Sequence, residues 1–300
     1  MEAIDIQKHG GSANDLVKQL EQGHILWFPH SPVSIPAAQR ETLLNTGQAD
    51  GNFHKNISYR PATGRISGLG KAADGEEEQV RAALHGYSQA AMALLGETLA
   101  PYRAQWKPDY ASFRSIEEEG RDLPWKKRND LLHTDAFPTR PTNGGLILRI
   151  FTNINPSQDR VWVTGDPFAA VAARWAEAAG LSEIAARAGA GAEQLKRAAT
   201  RALQQLHLPL TDRSPYDQFM LGFHDFLKGN EAYQESTAKY RFSFPPDSTW
   251  IVFTDVVPHS VQSGRYALEQ TMIIARDSLL QPECAPVAIL EKLCGRKLTD

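Results

Sequence analysis

Apolar residues recur along this chain in two rhythms. From Glu76 onward, Val80, Leu84, Tyr87, Ala91, Leu94 and Leu95 return every three or four residues, which places them on one helix face and predicts a helix to about Trp106. Leu16, Val17 and Leu20 follow the capping candidates Ser12 and Asn14, predicting a short helix that feeds the apolar strand GHILWFP at 23–29, stopped by Pro29. Ala-rich sequence over 167–206 keeps the helical period, and 216–227 adds a third helix there.

On either side of those helices the rhythm shortens. LILRIFTNIN (146–155), RVWVTG (160–165), and RFSFPP, TWIVFTDVV and ALEQTMIIA (within 241–275) are short, rich in β-branched and aromatic residues, and broken by Pro, Asn and Gly. Short strands with helices outside them predict an α+β protein, a double-stranded β-helix of the jelly-roll or cupin-like kind with flanking and inserted helices. The expected organisation is one domain over 1–300. Its β core falls at about 108–165 and 240–276, N-terminal helices and a strand occupy 12–106, and a helical insertion spans 167–230. Residues 47–74 show no period and are rich in Gly, Asn and Arg, which predicts a long irregular loop of a length that usually carries function.

Composition narrows the class of partner. Lys plus Arg is 32 against 35 Asp plus Glu, a formal net charge of −3, which together with an acidic run at 117–119 and no recognisable motif sets nucleic acid aside. Cys284 and Cys294 have no CxxC spacing, so neither a zinc site nor a disulfide framework is indicated and a reducing compartment is expected. The N-terminal residues include Glu2 and Asp5 and no apolar segment, and no stretch approaches the roughly 20 apolar residues of a spanning helix. A cytoplasmic protein, at most peripheral to a membrane, is the expectation.

The candidate chemistry begins at His133-Thr134-Asp135. Two ligand-type side chains two residues apart share one face of an extended segment. His259, after the strand TWIVFTDVVP, can return beside them on a neighbouring jelly-roll strand. Two histidines and a carboxylate on one side of a metal leave the other side open, as non-haem Fe(II) oxygenases require to bind a 2-oxoacid and dioxygen together. The pattern is unspecific in a chain with nine histidines, and its weight comes from context: each histidine lies where an apolar strand meets a turn. His9, His24, His30, His54, His85, His207 and His224 lack partners at ligand spacing and read as solvated or structural, although the loop around His54 gives it a route to substrate.

LLHTDAFPTRPTNGGLILRIFTNINP (131–156) and VVPHSVQSGRYALEQT (256–271) resemble the signature stretches of the bacterial Kdo hydroxylases, with support from HKNISYRP at 54–61. These are Fe(II)/2-oxoglutarate dioxygenases acting on 3-deoxy-D-manno-oct-2-ulosonic acid (Kdo) of lipopolysaccharide. The HxD…H core belongs to the whole superfamily; RIFTNINP points to this family. The resemblance implies that His133, Asp135 and His259 ligate Fe(II). It further implies that 2-oxoglutarate and O2 are cosubstrates, that 2-oxoglutarate is decarboxylated to succinate, and that C3 of a Kdo sugar gains a hydroxyl, converting Kdo-lipid A to Ko-lipid A.

The far carboxylate of 2-oxoglutarate needs a cation. Arg265 opens the strand after the distal histidine and is preferred; Arg149, on a strand face with Phe151, Asn153 and Asn155, is the other candidate, and the one not used is free to hold the sugar carboxylate. Asn153, Asn155, Arg140, His54, Lys55, Asn56 and Arg60 are the expected substrate contacts. Lys55, Arg60, Arg65 and Lys71, and separately Lys126, Lys127 and Arg128, suit an anionic acceptor. The expected partners are Kdo-containing lipid A or core oligosaccharide and the cytoplasmic face of the inner membrane, with no obligate protein partner. Two alternatives stand beside this: a 2-oxoglutarate dioxygenase acting on another small acidic metabolite, and a non-catalytic jelly-roll metal- or ligand-binding protein.

Overall fold

The computed structural model describes residues 2–49, 56–71, 75–188 and 211–299. In chain order its strands are β1 (Ala3–Asp5), β2 (Ile25–Phe28), β3 (Ile57–Arg60), β4 (Arg65–Ser67), β5 (Trp106–Arg114), β6 (Leu146–Asn153), β7 (Arg160–Thr164), β8 (Tyr240–Phe244), β9 (Thr249–Phe253), β10 (His259–Ser263) and β11 (Ala267–Ile274). A large sheet has the order β1-β2-β9-β6-β11-β5-β3-β4 and a small one the order β10-β7-β8. A bridge between His133 and His259 adds the segment around 133 to the free edge of β10. The two facing sheets form the double-stranded β-helix predicted from the strand rhythm.

The period of two in each strand builds two cores. Phe151, Trp250, Val252 and Ile25 of the large sheet meet Trp162, Phe244 and Val261 of the small sheet. Leu146, Leu148, Ile150, Ile251, Phe253, Leu268 and Met272 face the other way, under the helices. Covered on both faces, all eight residues of β6 are buried. Arg149 takes the parity of Phe151 and therefore points between the sheets, where a cation needs a partner.

Among the helices, Ala13–Glu21 starts at a capping box of Ser12 and Asp15, and Pro215–Gly229 at one of Ser214 and Asp217. Several expectations change. The long helix spans Glu76–Thr98 and stops short of Trp106, because Pro101 sits in a 3-10 turn and Trp106 already opens β5. The supposed loop over 47–74 contains the hairpin β3–β4, its turn closed at Gly64 with φ +67°. Strand β9 ends at Phe253, so His259 begins β10 rather than trailing an apolar strand, and β11 begins at Ala267, past Arg265. The Ala-rich region forms Phe168–Trp175 and Leu181–Ala188; the rest of that prediction, 189–206, lies outside the described residues, as do His54 and Lys55. Helix Ala37–Asn45 has no side-chain cap to announce it, whereas Pro286–Cys294 was overlooked although Pro286 opens it and left-handed Gly295 closes it. No helix among the described residues is long and apolar enough to cross a membrane.

Candidate active site

His133, Thr134 and Asp135 lie on the extended segment beside β10. His133 exchanges both backbone hydrogen bonds with His259, at 3.1 and 2.9 Å, and the Asp135 N–H donates to the Thr254 carbonyl at 2.9 Å. This pairing brings one ligand atom from each of His133, Asp135 and His259 to within 4.8 Å of one another, the only such cluster of three among the described residues. His133 Nδ1 lies 2.7 Å from the Leu131 carbonyl and His259 Nδ1 lies 2.9 Å from the Val257 carbonyl. A carbonyl only accepts, so each Nδ1 carries the proton and each Nε2 presents its lone pair. Both Nε2 atoms lie 3.9 Å from the Asp135 carboxylate. Trp162 stacks on the His259 ring at 5.0 Å, locking its plane.

Charge completes the fit to a divalent metal. Burial, then the neighbouring His259 and His224 rings, hold His133 well below its ordinary pKa of 6.5; burial likewise lowers His259, against the pull of Asp135. Both rings are therefore neutral near pH 7, as ligands must be. Burial works against ionising Asp135, but the Arg149 guanidinium 3.1 Å away outweighs it and keeps the carboxyl below the usual carboxylate range. Asp135 Oδ2 is held by Arg149 Nη2 at 3.1 Å, so two neutral imidazole nitrogens and an ionised carboxylate converge, a donor set that fits a divalent metal.

From Asp135 a chain of alternating charges runs into the barrel. Arg149 lies 3.1 Å from Asp135 and 3.1 Å from Glu269, and Arg114 reaches the same Glu269 through Nε at 2.9 Å and Nη2 at 2.5 Å. Arg160, fully buried, donates to the Gly264 carbonyl at 2.8 Å and faces the Glu118 carboxylate through Nη2 at 3.8 Å, while its Nε has no hydrogen-bond partner. Burial, then Arg114, push Arg160 down to about 10, so it stays cationic at neutral pH. The buried Nε atoms of Arg149 and Arg160 have no hydrogen-bond partner and are guanidinium donors still open to an anion.

The sequence profile of the 3-deoxy-D-manno-oct-2-ulosonic acid (Kdo) hydroxylase family matches residues 4–297. The chain belongs to the Kdo hydroxylase family. A structure of the Kdo hydroxylase KdoO, a non-haem Fe(II) α-ketoglutarate-dependent dioxygenase, in complex with cobalt(II) is similar to it at TM-score 0.82 and 31% identity, covering 99% of this chain and 97% of that one. KdoO with α-ketoglutarate and Fe(III) gives 0.80 and 30%, covering 99% and 96%. KdoO with succinate and Fe(III) gives 0.81 and 30%, covering 99% and 97%. No curated protein matches in sequence.

Against this Kdo hydroxylase frame, the residues singled out in the sequence divide. His133, Asp135, His259 and Arg149 come together at one centre. Arg265 lies in the turn before β11, between Gly264 and Tyr266, both of positive φ; its guanidinium sits 3.8 Å above the Tyr266 ring and its buried Nε has no hydrogen-bond partner. The amides of Asn153 and Asn155 are spent on the β6–β7 turn. Asn153 donates to the Gln158 and Phe244 carbonyls, and Asn155 Oδ1 accepts from the Ser157 and Gln158 N–H groups. Arg140 is ion-paired to Asp109 and held between the Tyr110 and Phe137 rings, each 4.1 Å away; exposed Arg60 covers the Tyr110 ring at 4.9 Å. Asn56 is half-buried in the bend before β3. Of the second basic cluster, Lys126 pairs with Asp225 at 2.7 Å and Arg128 with Asp130 at 2.5 Å. Sequence reasoning passed over Arg114, Arg160, Glu269 and Trp162, and read His224 as solvated or structural. Inward parity on strands beside the HxD segment was a usable signal for the first four; for His224 there was none.

Proposed function

We propose that this chain is an Fe(II)- and 2-oxoglutarate-dependent dioxygenase that hydroxylates C3 of a Kdo sugar, turning Kdo-lipid A into Ko-lipid A. The observation that carries the reading is the buried His133–Asp135–His259 face with both Nε2 lone pairs turned inward, in a chain whose family is that of Kdo hydroxylases. Iron held by these three residues would supply the redox chemistry that couples oxidative decarboxylation of 2-oxoglutarate to hydroxylation. The protein's own residues do the rest. The backbone carbonyls at 131 and 257 fix the imidazole tautomers, and Arg149 keeps Asp135 ionised while joining it to Glu269. Arg114 and Arg160, deeper in the barrel, are the anchor for the far carboxylate, with Arg149 between them and the metal side. The Trp162, Trp250, Phe151 and Phe244 rings fill the space beyond and keep water out.

Arg140, pinned between Tyr110 and Phe137, links exposed Arg60 to Phe137, whose ring Arg149 also approaches at 5.6 Å. This ladder of rings and guanidinium groups is the route by which an acidic sugar reaches the centre, its carboxylate met by Arg60 and Arg140. We read residues 1–300 as one catalytic domain acting in the cytoplasm on a lipid-borne acceptor, with peripheral contact to the inner membrane. The test is succinate release by purified, Fe(II)-loaded protein. Kdo-lipid A should accelerate it strongly and amino acids or small acidic metabolites should not. Stimulation by a small metabolite alone would move the substrate assignment, and no consumption of 2-oxoglutarate with any acceptor would leave a metal-binding protein.

A further inference from the structure

The segment bearing His133 and Asp135 is an edge strand. Residue 133 turns its N–H and C=O to β10, so by the alternation of an antiparallel pair Leu132 and Thr134 present theirs on the opposite side, where no strand follows among the described residues. Helical side chains take the place of that strand. Gln234, in the helix Glu231–Ser236, accepts the Leu132 N–H at Oε1 (3.1 Å) and donates through Nε2 to the Leu132 carbonyl (2.9 Å) and the Leu227 carbonyl (2.8 Å). His224, in Pro215–Gly229, donates from Nδ1 to the Thr134 carbonyl at 2.8 Å and sets its ring edge-on to His133, centroids 4.8 Å apart. Asp217 of the same helix accepts the Thr142 N–H at 2.8 Å, tying down the chain beyond the ligands.

We propose that Gln234 and His224 are positioning residues of the metal centre, acting as a side-chain strand that holds residues 132–134 at the distance where His133 and Asp135 meet His259. A side-chain amide that mimics both halves of a backbone pair specifies register, and a one-residue slip would turn both ligands out of the barrel. The helices beside the jelly roll thereby set metal affinity. This inference rests on the metal-centre reading above, and the probe is Co(II) alone, titrated by visible absorption alongside thermal melting of the metal-free protein. Gln234→Ala and His224→Leu should each weaken Co(II) binding about tenfold or more and alter the Co(II) spectrum, as the loss of groups that orient ligands does elsewhere. His224→Asn, whose amide nitrogen replaces Nδ1, should recover affinity to within about threefold. Gln234→Glu keeps only the acceptor half and should fall between, and it gives the answer if Gln234→Ala does not fold. Unchanged Co(II) affinity and spectrum in folded Gln234 and His224 variants, with only the melting temperature lowered, would overturn the proposal. Failure of the unsubstituted protein to bind Co(II) would instead remove the metal-centre reading beneath it.

Discussion

Arg149 has an anion 3.1 Å away on each side, Asp135 and Glu269, and a buried Nε without a partner. Removing it strips compensation from two buried carboxylates, a change that costs roughly 3–5 kcal/mol. Arg149→Gln is therefore expected both to loosen metal binding and to raise the 2-oxoglutarate requirement. Arg160→Gln should raise that requirement about tenfold or more while metal affinity holds, since one charge-assisted hydrogen bond is worth roughly 1.5–3 kcal/mol. Arg265→Gln, stacked on Tyr266, should change neither. Steady-state kinetics with Co(II) titration on the three variants checks this; a 2-oxoglutarate defect confined to Arg265→Gln would reverse the assignment. A second residue reports through pH. Asp255 is pushed up from 3.8 to about 7, chiefly by burial, while its Oδ1 accepts the Ile147 N–H at 3.0 Å. The native state thus holds this proton more tightly than the unfolded one, so its contribution is fully present below about pH 4 and is lost as pH rises to 7. Asp255→Asn keeps the acceptor and removes the loss. The metal-free variant should gain on the parent between pH 4 and 7, by on the order of 4 kcal/mol at most, and stay level above; parallel stability curves would contradict it. At this scale the three ligands were legible because HxD on an extended segment has one geometric consequence, whereas the arginines were ranked by spacing, which cannot see the kink at Gly264.

That kink belongs to the element scale. Gly264 has φ +107°, and a Cβ there would meet Arg160 Cα at 2.8 Å and the Asp159 carbonyl at 2.9 Å. Backbone cannot yield as a flexible side chain would. Gly264→Ala should destabilise the fold by on the order of 3 kcal/mol, read by urea unfolding, because it adds strain and a clash where β10 turns into β11. A loss below 1 kcal/mol would mean that the turn relaxes easily. Strands β6, β7 and β9 were legible from their apolar and aromatic runs, since burial on both faces leaves few polar positions, and the largely exposed β8 from its alternating Phe242 and Phe244. Strand β10 was not: HSVQS is too polar to announce itself, because its inner face sets a metal ligand, His259, beside a single apolar residue, Val261. The hairpin β3–β4 escaped for a related reason, its strands being four and three residues long at a sheet edge. The insertion read as helical, but the contacts of His224 in it and of Gln234 just beyond it did not, because both bond backbone groups 90 to 102 residues away.

For the whole molecule, the acceptor is proposed to be anchored in a membrane while the chain carries a net charge of −3. Contact must then come from local cations, of which Arg60, Arg65 and Lys71 are exposed together near the sheet edge. Each contributes about 1 kcal/mol at an anionic surface and is screened by salt. In fractionated cells most of the protein should be free of membranes, with a bound share that falls as ionic strength rises; release only by detergent would contradict peripheral attachment. The central claim is the hydroxylation itself. It is tested most directly by mass spectrometry of the lipopolysaccharide inner core from cells with the protein, without it, and with Asp135→Ala. The account predicts one added oxygen, located at C3 of a Kdo residue, only in cells carrying the intact protein. Identical Kdo in all three, with the protein folded and metal-loaded, would contradict it.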